Sequence, residues 1–378
     1  MALLTEEQSI LRDQARAWCQ GQAPVTEFRR MRNSGQPLGF DPALFAEMAE
    51  MGWTGVIAPE AHGGSEFGYL GLGLILEETG RTLAASPLLS SGLGAASALI
   101  LAGTEAQKQQ YLTQLVTGAS VGTLAIDEGP QHAPFDVALE AKRSGDGYRL
   151  NGTKAFVMDG MAADLLIVSA RTSGSPGQTD GITLFLVPAN TPGVSRTRLE
   201  LVDSRGAADI TFSDVELSGD LVLGDVDTGG PLLEKVLDRV RAGLAAEMLG
   251  LGLQAFDMTL GYLKTRVQFD QVIGGFQALQ HRAARMFQEL ELSRSCVEAA
   301  LAAIDADSPQ VPELVALAKA FVGETLYLVS NELIQMHGGI GMTDEHDAGL
   351  YLKRARVCEA MYGNRAFHRD RFATMSGY

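Results

Sequence analysis

The chain has 378 residues, 46% of them apolar, which excludes a disordered or fibrous protein and leaves room for two to three domains with a sizeable core. Thirty basic side chains against 46 acidic ones give a formal charge of −16, a field that repels phosphate backbones and anionic membrane surfaces. No nucleic-acid or membrane partner is expected. Residues 1–13 carry Glu6, Glu7 and Asp13 where an export signal needs a basic start and an apolar run, and Ser86–Gly103 is broken by Pro87, Gly92 and Gly94. A cytosolic location is therefore expected. Cys19, Cys296 and Cys358 are far apart and at no metal or redox spacing, so reduced thiols and no metal site are expected.

In chain order, residues 1–118 read as helical: Leu11, Ala15 and Trp18 recur at helical spacing, as do Leu44, Phe45 and Met48, and Tyr69–Arg81 is amphipathic. The stretch GWTGVIAPEAHGG (Gly52–Gly64) breaks that pattern. Over residues 119–229 the period turns to near-alternation in short runs bounded by turn residues, which predicts a middle antiparallel β domain. Residues 230–378 return to long apolar-periodic runs at Leu233–Leu263, Phe276–Asp305, Pro312–Met336 and Ala348–His368, a C-terminal four-helix bundle. The fold class expected is α+β, in the order helical, sheet, helical.

Four strings stand in this frame: GVIAPEAHGG (Gly55–Gly64), LEETGR (Leu76–Arg81), RVQFDQVIGGFQALQH (Arg266–His281) and QMHGGIG (Gln335–Gly341). Together with the domain order they resemble the flavin-dependent acyl-CoA dehydrogenases over essentially the whole chain, which implies that the middle antiparallel β domain is a β-barrel. Elementary chemistry suits two of them to an anion: Gly338 and Gly339 lack a Cβ and let main chain approach a diphosphate, and Arg266 offers a planar, permanently charged set of donors. The resemblance implies FAD as cofactor. It places Arg266, Phe269, Gln277, Gln335, Gly338 and Gly339 in the half of the flavin site that one subunit lends to its neighbour.

The reaction implied is α,β-desaturation of an acyl-CoA thioester, in which a carboxylate removes the α-proton and flavin N5 takes the β-hydrogen as hydride. Such a base needs a raised pKa, and the enolate oxygen needs preorganised donors. The family usually carries the base as a Glu just before a Gly near the end of the last helix. Here AMYGNRAFHRDR (Ala360–Arg371) puts Tyr362 there, and Asn364 where a Thr is usual. In other members the base sits on the first helix of the bundle; DRVRAGLAAE (Asp238–Glu247) matches around Asp238 and Arg241, but that base position falls on Val240. Glu247 lies seven residues on, about 700° around a helix and roughly 10 Å along it, so it shares the face of Val240. It is either a base with a raised pKa or a core carboxylate paired with an arginine.

The middle domain departs as well. AIDEGPQHAPFD (Ala125–Asp136) keeps an acidic Asp127 and loses a Thr and a Gly-Ser step, and KAFVMDG (Lys154–Gly160) has Phe156 for a Trp and Met158 for a Thr. Asp270 replaces a usual Gly. The ring-binding half of the flavin pocket is altered and the half lent to a neighbour is kept, which is the pattern of one subunit of an α2β2 enzyme of the kind the family uses for steroid side chains or dicarboxylic acyl-CoAs. A sister subunit, an acyl-CoA substrate and electron-transfer flavoprotein or a similar acceptor are the partners implied. Two alternatives stand: a homotetramer using Glu247 or Tyr362 for proton transfer, and a non-catalytic structural partner.

Overall fold

The computed structural model describes residues 4–378. Its helices are α1 (Glu6–Gly21), α2 (Val25–Ser34), α3 (Pro42–Glu50), α4 (Gly68–Arg81), α5 (Ala96–Ala102), α6 (Glu105–Gln107) and α7 (Thr113–Val116), then α8 (Gly229–Thr265), α9 (Gln277–Asp305), α10 (Val311–His337), α11 (Ala348–Ala360) and α12 (Arg365–Met375). The strands between them are β1 (Gly122–Ala125), β2 (Glu140–Ser144), β3 (Gly147–Met158), β4 (Leu165–Arg171), β5 (Ile182–Pro188), β6 (Val194–Glu200), β7 (Gly206–Leu217) and β8 (Val222–Leu223); a small hairpin, β9 (Val267–Gln268) and β10 (Gln271–Val272), follows α8. The chain divides into two compact units: Arg30–Gly68 with Ala85–Val240, and Met1–Arg29 with Tyr69–Ala84 and Arg241–Tyr378.

The first of these is built on an eight-stranded sheet in the order β6-β7-β3-β2-β4-β5-β8, with β1 also on β4. The expected barrel is not formed, and the sheet is open and mixed: β1 runs parallel to β4, and β2 meets β4 in parallel at Glu140 and Arg171. Both edges explain why. β8 has only two residues, and β6 is a largely exposed strand carrying Arg196, Arg198 and Glu200, the charged kind of edge that resists further pairing. Alternation still sets the core, in which Leu150, Leu166, Phe185, Ile210 and Phe212 are buried and Tyr148 packs edge-on against Phe185 at 5.2 Å.

The second unit is helical. Glycines let α4 and α8 cross at main-chain contact: a Cβ on Gly80 would overlap the carbonyl of Glu247, and one on Gly250 that of Glu77. α9 and α10 pack on one another, and the Asp305 carboxylate at the end of α9 accepts the Tyr69 and Leu70 N–H groups at the start of α4. The last predicted helix is two helices. Tyr362 and Gly363 both take left-handed backbone, φ 53° and 98°, which no α-helix passes through, and the Asn364 side chain caps α12 by accepting the Phe367 N–H.

Candidate functional site

The residues expected to lend a flavin half-site lie on the helical unit, at the ends of α8 and α10. α8 stops at Thr265 and the chain turns through the hairpin, whose two-residue loop is Phe269 and Asp270 at φ 55° and 60°. This is the primed hairpin turn, and it explains why a Gly is usual where Asp270 stands. The loop thrusts Phe269 outward, 84% exposed, and Arg266 and Gln277 at the start of α9 are exposed as well. Gln335, Gly338 and Gly339 are exposed at the other segment; Gly338 is at φ 63°, and a Cβ on either glycine would meet nothing within 4 Å.

An aromatic stack ties these two segments together. The Arg266 N–H donates to the Tyr262 carbonyl at 2.9 Å, the Tyr262 ring lies 4.4 Å from that of His337, and His337 lies 4.4 Å from His346. Burial holds the His337 imidazole below its usual pKa, and its Nδ1 donates to the Leu333 carbonyl at 2.7 Å, so the neutral ring carries its proton there. The glycine pair opens no α-helix, however, only a short 3-10 helix over Gly338–Met342. It follows the C-terminus of α10, and the Gly338 N–H is already spent on Ile334. The open space over Gly338 and Gly339 and the exposed guanidinium of Arg266 fit an extended, anionic group such as the FAD diphosphate.

Tyr362 and Arg241 come together in the interior of the same unit. Tyr362 is half-buried in the turn between α11 and α12, and its carbonyl accepts from Arg241 Nε at 3.2 Å and from His368 Nε2 at 3.1 Å. Lys319, on α10, donates to the carbonyls of Cys358, Glu359 and Gly363 at 3.1–3.2 Å. Arg241, Lys319 and His368 are all at most 1% exposed. Three buried nitrogen groups thus converge on the end of α11, where four carbonyls lack helical partners. Burial, reinforced by Arg241, drives Lys319 down to about 8; burial, with Arg241 and Lys319 alongside, drives His368 down to about 2. Lys319 sits in an apolar run and gave no signal in the sequence.

Glu247 is 5% exposed, with Arg354 Nη1 at 3.6 Å from its carboxylate and the Cys358 thiol donating to it at 3.8 Å. The arrangement is that of a core carboxylate facing an arginine. Arg354 is itself 1% exposed and stacks over Phe28.

On the sheet unit, the acidic pair after β1 divides its work. Asp127 accepts from His132 at 2.8 Å and from the Ala133 N–H, whereas Glu128, which the sequence left unmarked, meets fully buried Lys154 at 2.7 Å and accepts the Ala138 and Leu139 N–H groups. Lys154 also donates to the Ile126 carbonyl and to Ser169, and its burial holds it down at about 8. Immediately beyond it the β3–β7 register slips between Lys154 and Val157, and at this bulge Phe156 stands 52% exposed at φ 52°. Met158 is 7% exposed. An apolar ring is therefore offered at the surface where the family has its Trp.

Among the described residues no helix is long and apolar enough to cross a membrane, and no group of His, Cys, Asp and Glu could hold a metal ion. The chain matches the acyl-CoA dehydrogenase N-terminal domain over residues 5–119, the middle domain over 127–216 and the C-terminal domain over 227–376. It is 32% identical over 376 residues to the "Probable acyl-CoA dehydrogenase YngJ" of Bacillus subtilis (strain 168), covering 97% of each. Butyryl-CoA dehydrogenase from Megasphaera elsdenii shares its structure with a TM-score of 0.92 at 26% identity, covering 100% of this chain and 99% of that one. The Tcur3481-Tcur3483 steroid ACAD does so with a TM-score of 0.88 at 31% identity, covering 98% of each. The chain belongs to the acyl-CoA dehydrogenase family of FAD-dependent oxidoreductases.

Proposed function

We propose that this chain works as one subunit of a heteromeric acyl-CoA dehydrogenase, lending its exposed cradle to FAD held by a sister subunit that carries the base. The observation behind this reading is a contrast in exposure. Arg266, Phe269, Gly338 and Gly339 are all turned outward, while the one carboxylate on the expected face, Glu247, is buried against Arg354 and Cys358. Arg266 and the two glycines would hold the diphosphate, with Gln277, Gln335 and the Phe269 ring beside it. FAD in such a site supplies the hydride acceptor. The likeness to the Tcur3481-Tcur3483 steroid ACAD supports a two-chain assembly and a bulky acyl group.

In this assembly Tyr362 has no role as base, because a phenolic hydroxyl is suited to donating a hydrogen bond where the reaction needs a carboxylate; it stands on a turn whose main chain Arg241 anchors. Proton abstraction from the α-carbon falls to a carboxylate of the sister subunit. Electrons leave through electron-transfer flavoprotein or an acceptor like it. Flavin dissociation from the assembled enzyme tests the cradle: Arg266→Ala, at an exposed site, is expected to release FAD at least tenfold faster with the fold intact. Unchanged retention would favour a purely structural subunit. Glu247→Gln is expected to leave turnover within about threefold, and a loss of turnover with FAD retained would make Glu247 the base of a homotetramer.

A further inference from the structure

The open edge of the sheet carries a second concavity, remote in sequence from the cradle and independent of the flavin reading. It has a volume of about 170 Å³, room for a phosphoryl group and not for a nucleoside. One wall is the last turn of α2 and the loop after it, with Arg32 and Gln36; the other is the end of β6 and the turn that follows it, with Arg198, Glu200, Ser204 and Arg205. Two glycines press these walls together: a Cβ on Gly39 would overlap the main chain of Gly206, and one on Gly206 would overlap the carbonyl of Leu38. The concavity is therefore a fixed feature of the fold. Ser204 holds φ 62°, a left-handed conformation that a serine adopts only under constraint.

The chemistry of the lining runs against that of the chain. In a protein of net charge −16, three guanidinium groups meet here against the single lining carboxylate of Glu200. Arg205 is 9% exposed, and Asp203 holds its Nε at 2.8 Å, which fixes the direction of its fork. Arg198 and the side chains of Gln36 and Ser204 have no hydrogen-bond or ion-pair partner among the described residues. Guanidinium forks match the oxygens of a tetrahedral dianion in pairs, and hydroxyl and amide donors complete such a shell. We infer that this pocket is an anion subsite for a phosphoryl group, either free phosphate or the terminal phosphomonoester of a molecule whose body lies outside.

Isothermal titration of the whole chain, in a buffer whose only other anion is chloride, tests the site with inorganic phosphate and, separately, with phenyl phosphate. Saturable binding of one phosphate per chain is expected, weakened at least tenfold by Arg198→Gln and unchanged by Arg369→Gln, a control at an exposed arginine elsewhere. Arg198 is exposed on an edge strand, so its variant keeps the fold. Tighter binding of phenyl phosphate than of phosphate assigns the site to a phosphomonoester, and equal or weaker binding assigns it to the free ion. Absence of saturation, an Arg198→Gln curve matching the parent, or equal weakening by Arg369→Gln would overturn the proposal.

Discussion

The cradle and the Tyr362 turn are both left-handed breaks at helix ends of one unit, yet they are built in opposite ways. At the cradle, Phe269, Asp270 and Gly338 have positive φ and face outward, with nothing of this chain over the glycines. At the turn, Tyr362 and Gly363 have positive φ, and the carbonyls of Cys358, Glu359, Tyr362 and Gly363 are taken by Lys319, Arg241 and His368. A turn so pinned keeps its shape without a partner. The difference teaches that one left-handed break is closed by side chains of this chain and the other is left open by it.

The comparison breaks most readily at Lys319. Replacing it in Lys319→Met leaves three buried carbonyls without their donor, and unmet buried acceptors cost about 1–3 kcal/mol each, partly offset by removal of a desolvated charge. Denaturant unfolding is expected to show a loss of about 2–4 kcal/mol; a neutral result would mean that the turn holds itself. A pH series sharpens the same point. Lys319 and Lys154 each titrate near 8 in the folded chain against 10.5 ordinarily, so above pH 8 the unfolded chain binds more protons and stability rises with pH. Between pH 8 and 9 the rise is expected to be about 1 kcal/mol for each lysine, and Lys319→Met should halve it. Above pH 9 the trend reverses in part, because burial lifts the Cys19 thiol to about 12 and raises Tyr351, so the unfolded chain loses those protons first. A stability that falls steadily from pH 8 would contradict the assignment.

The smallest effect belongs to the exposed region. Asp270 takes a backbone that glycine adopts freely, so Asp270→Gly is expected to stabilise the chain by up to about 1 kcal/mol and to leave the buried turn untouched. A loss of stability there would show that the Asp270 side chain makes a contact worth more than the strain.

Much of this was legible in the sequence, and what was missed has a physical cause. Periodicity located the sheet and the long helices, and the four glycine-bearing strings pointed to the family, because glycines at positive φ or at helix crossings, such as Gly338 and Gly80, leave a mark no other residue can. Alternation, however, says which face of a strand is buried and nothing about its neighbours, so it could not tell an open sheet from a barrel. The break at Tyr362 was hidden because a tyrosine at positive φ is held by Lys319, Arg241 and His368, residues scattered over more than a hundred positions. The Glu247–Arg354 contact is equally remote in sequence, so no pattern along the chain could name that partner.

FAD content tests the central claim most directly. The chain is purified alone and again with a sister subunit that retains the usual base, and flavin per chain is measured by absorbance after denaturation. Little FAD and no turnover are expected alone, and one FAD for each pair of unlike chains together; a full complement of FAD with turnover in the chain by itself would contradict the account.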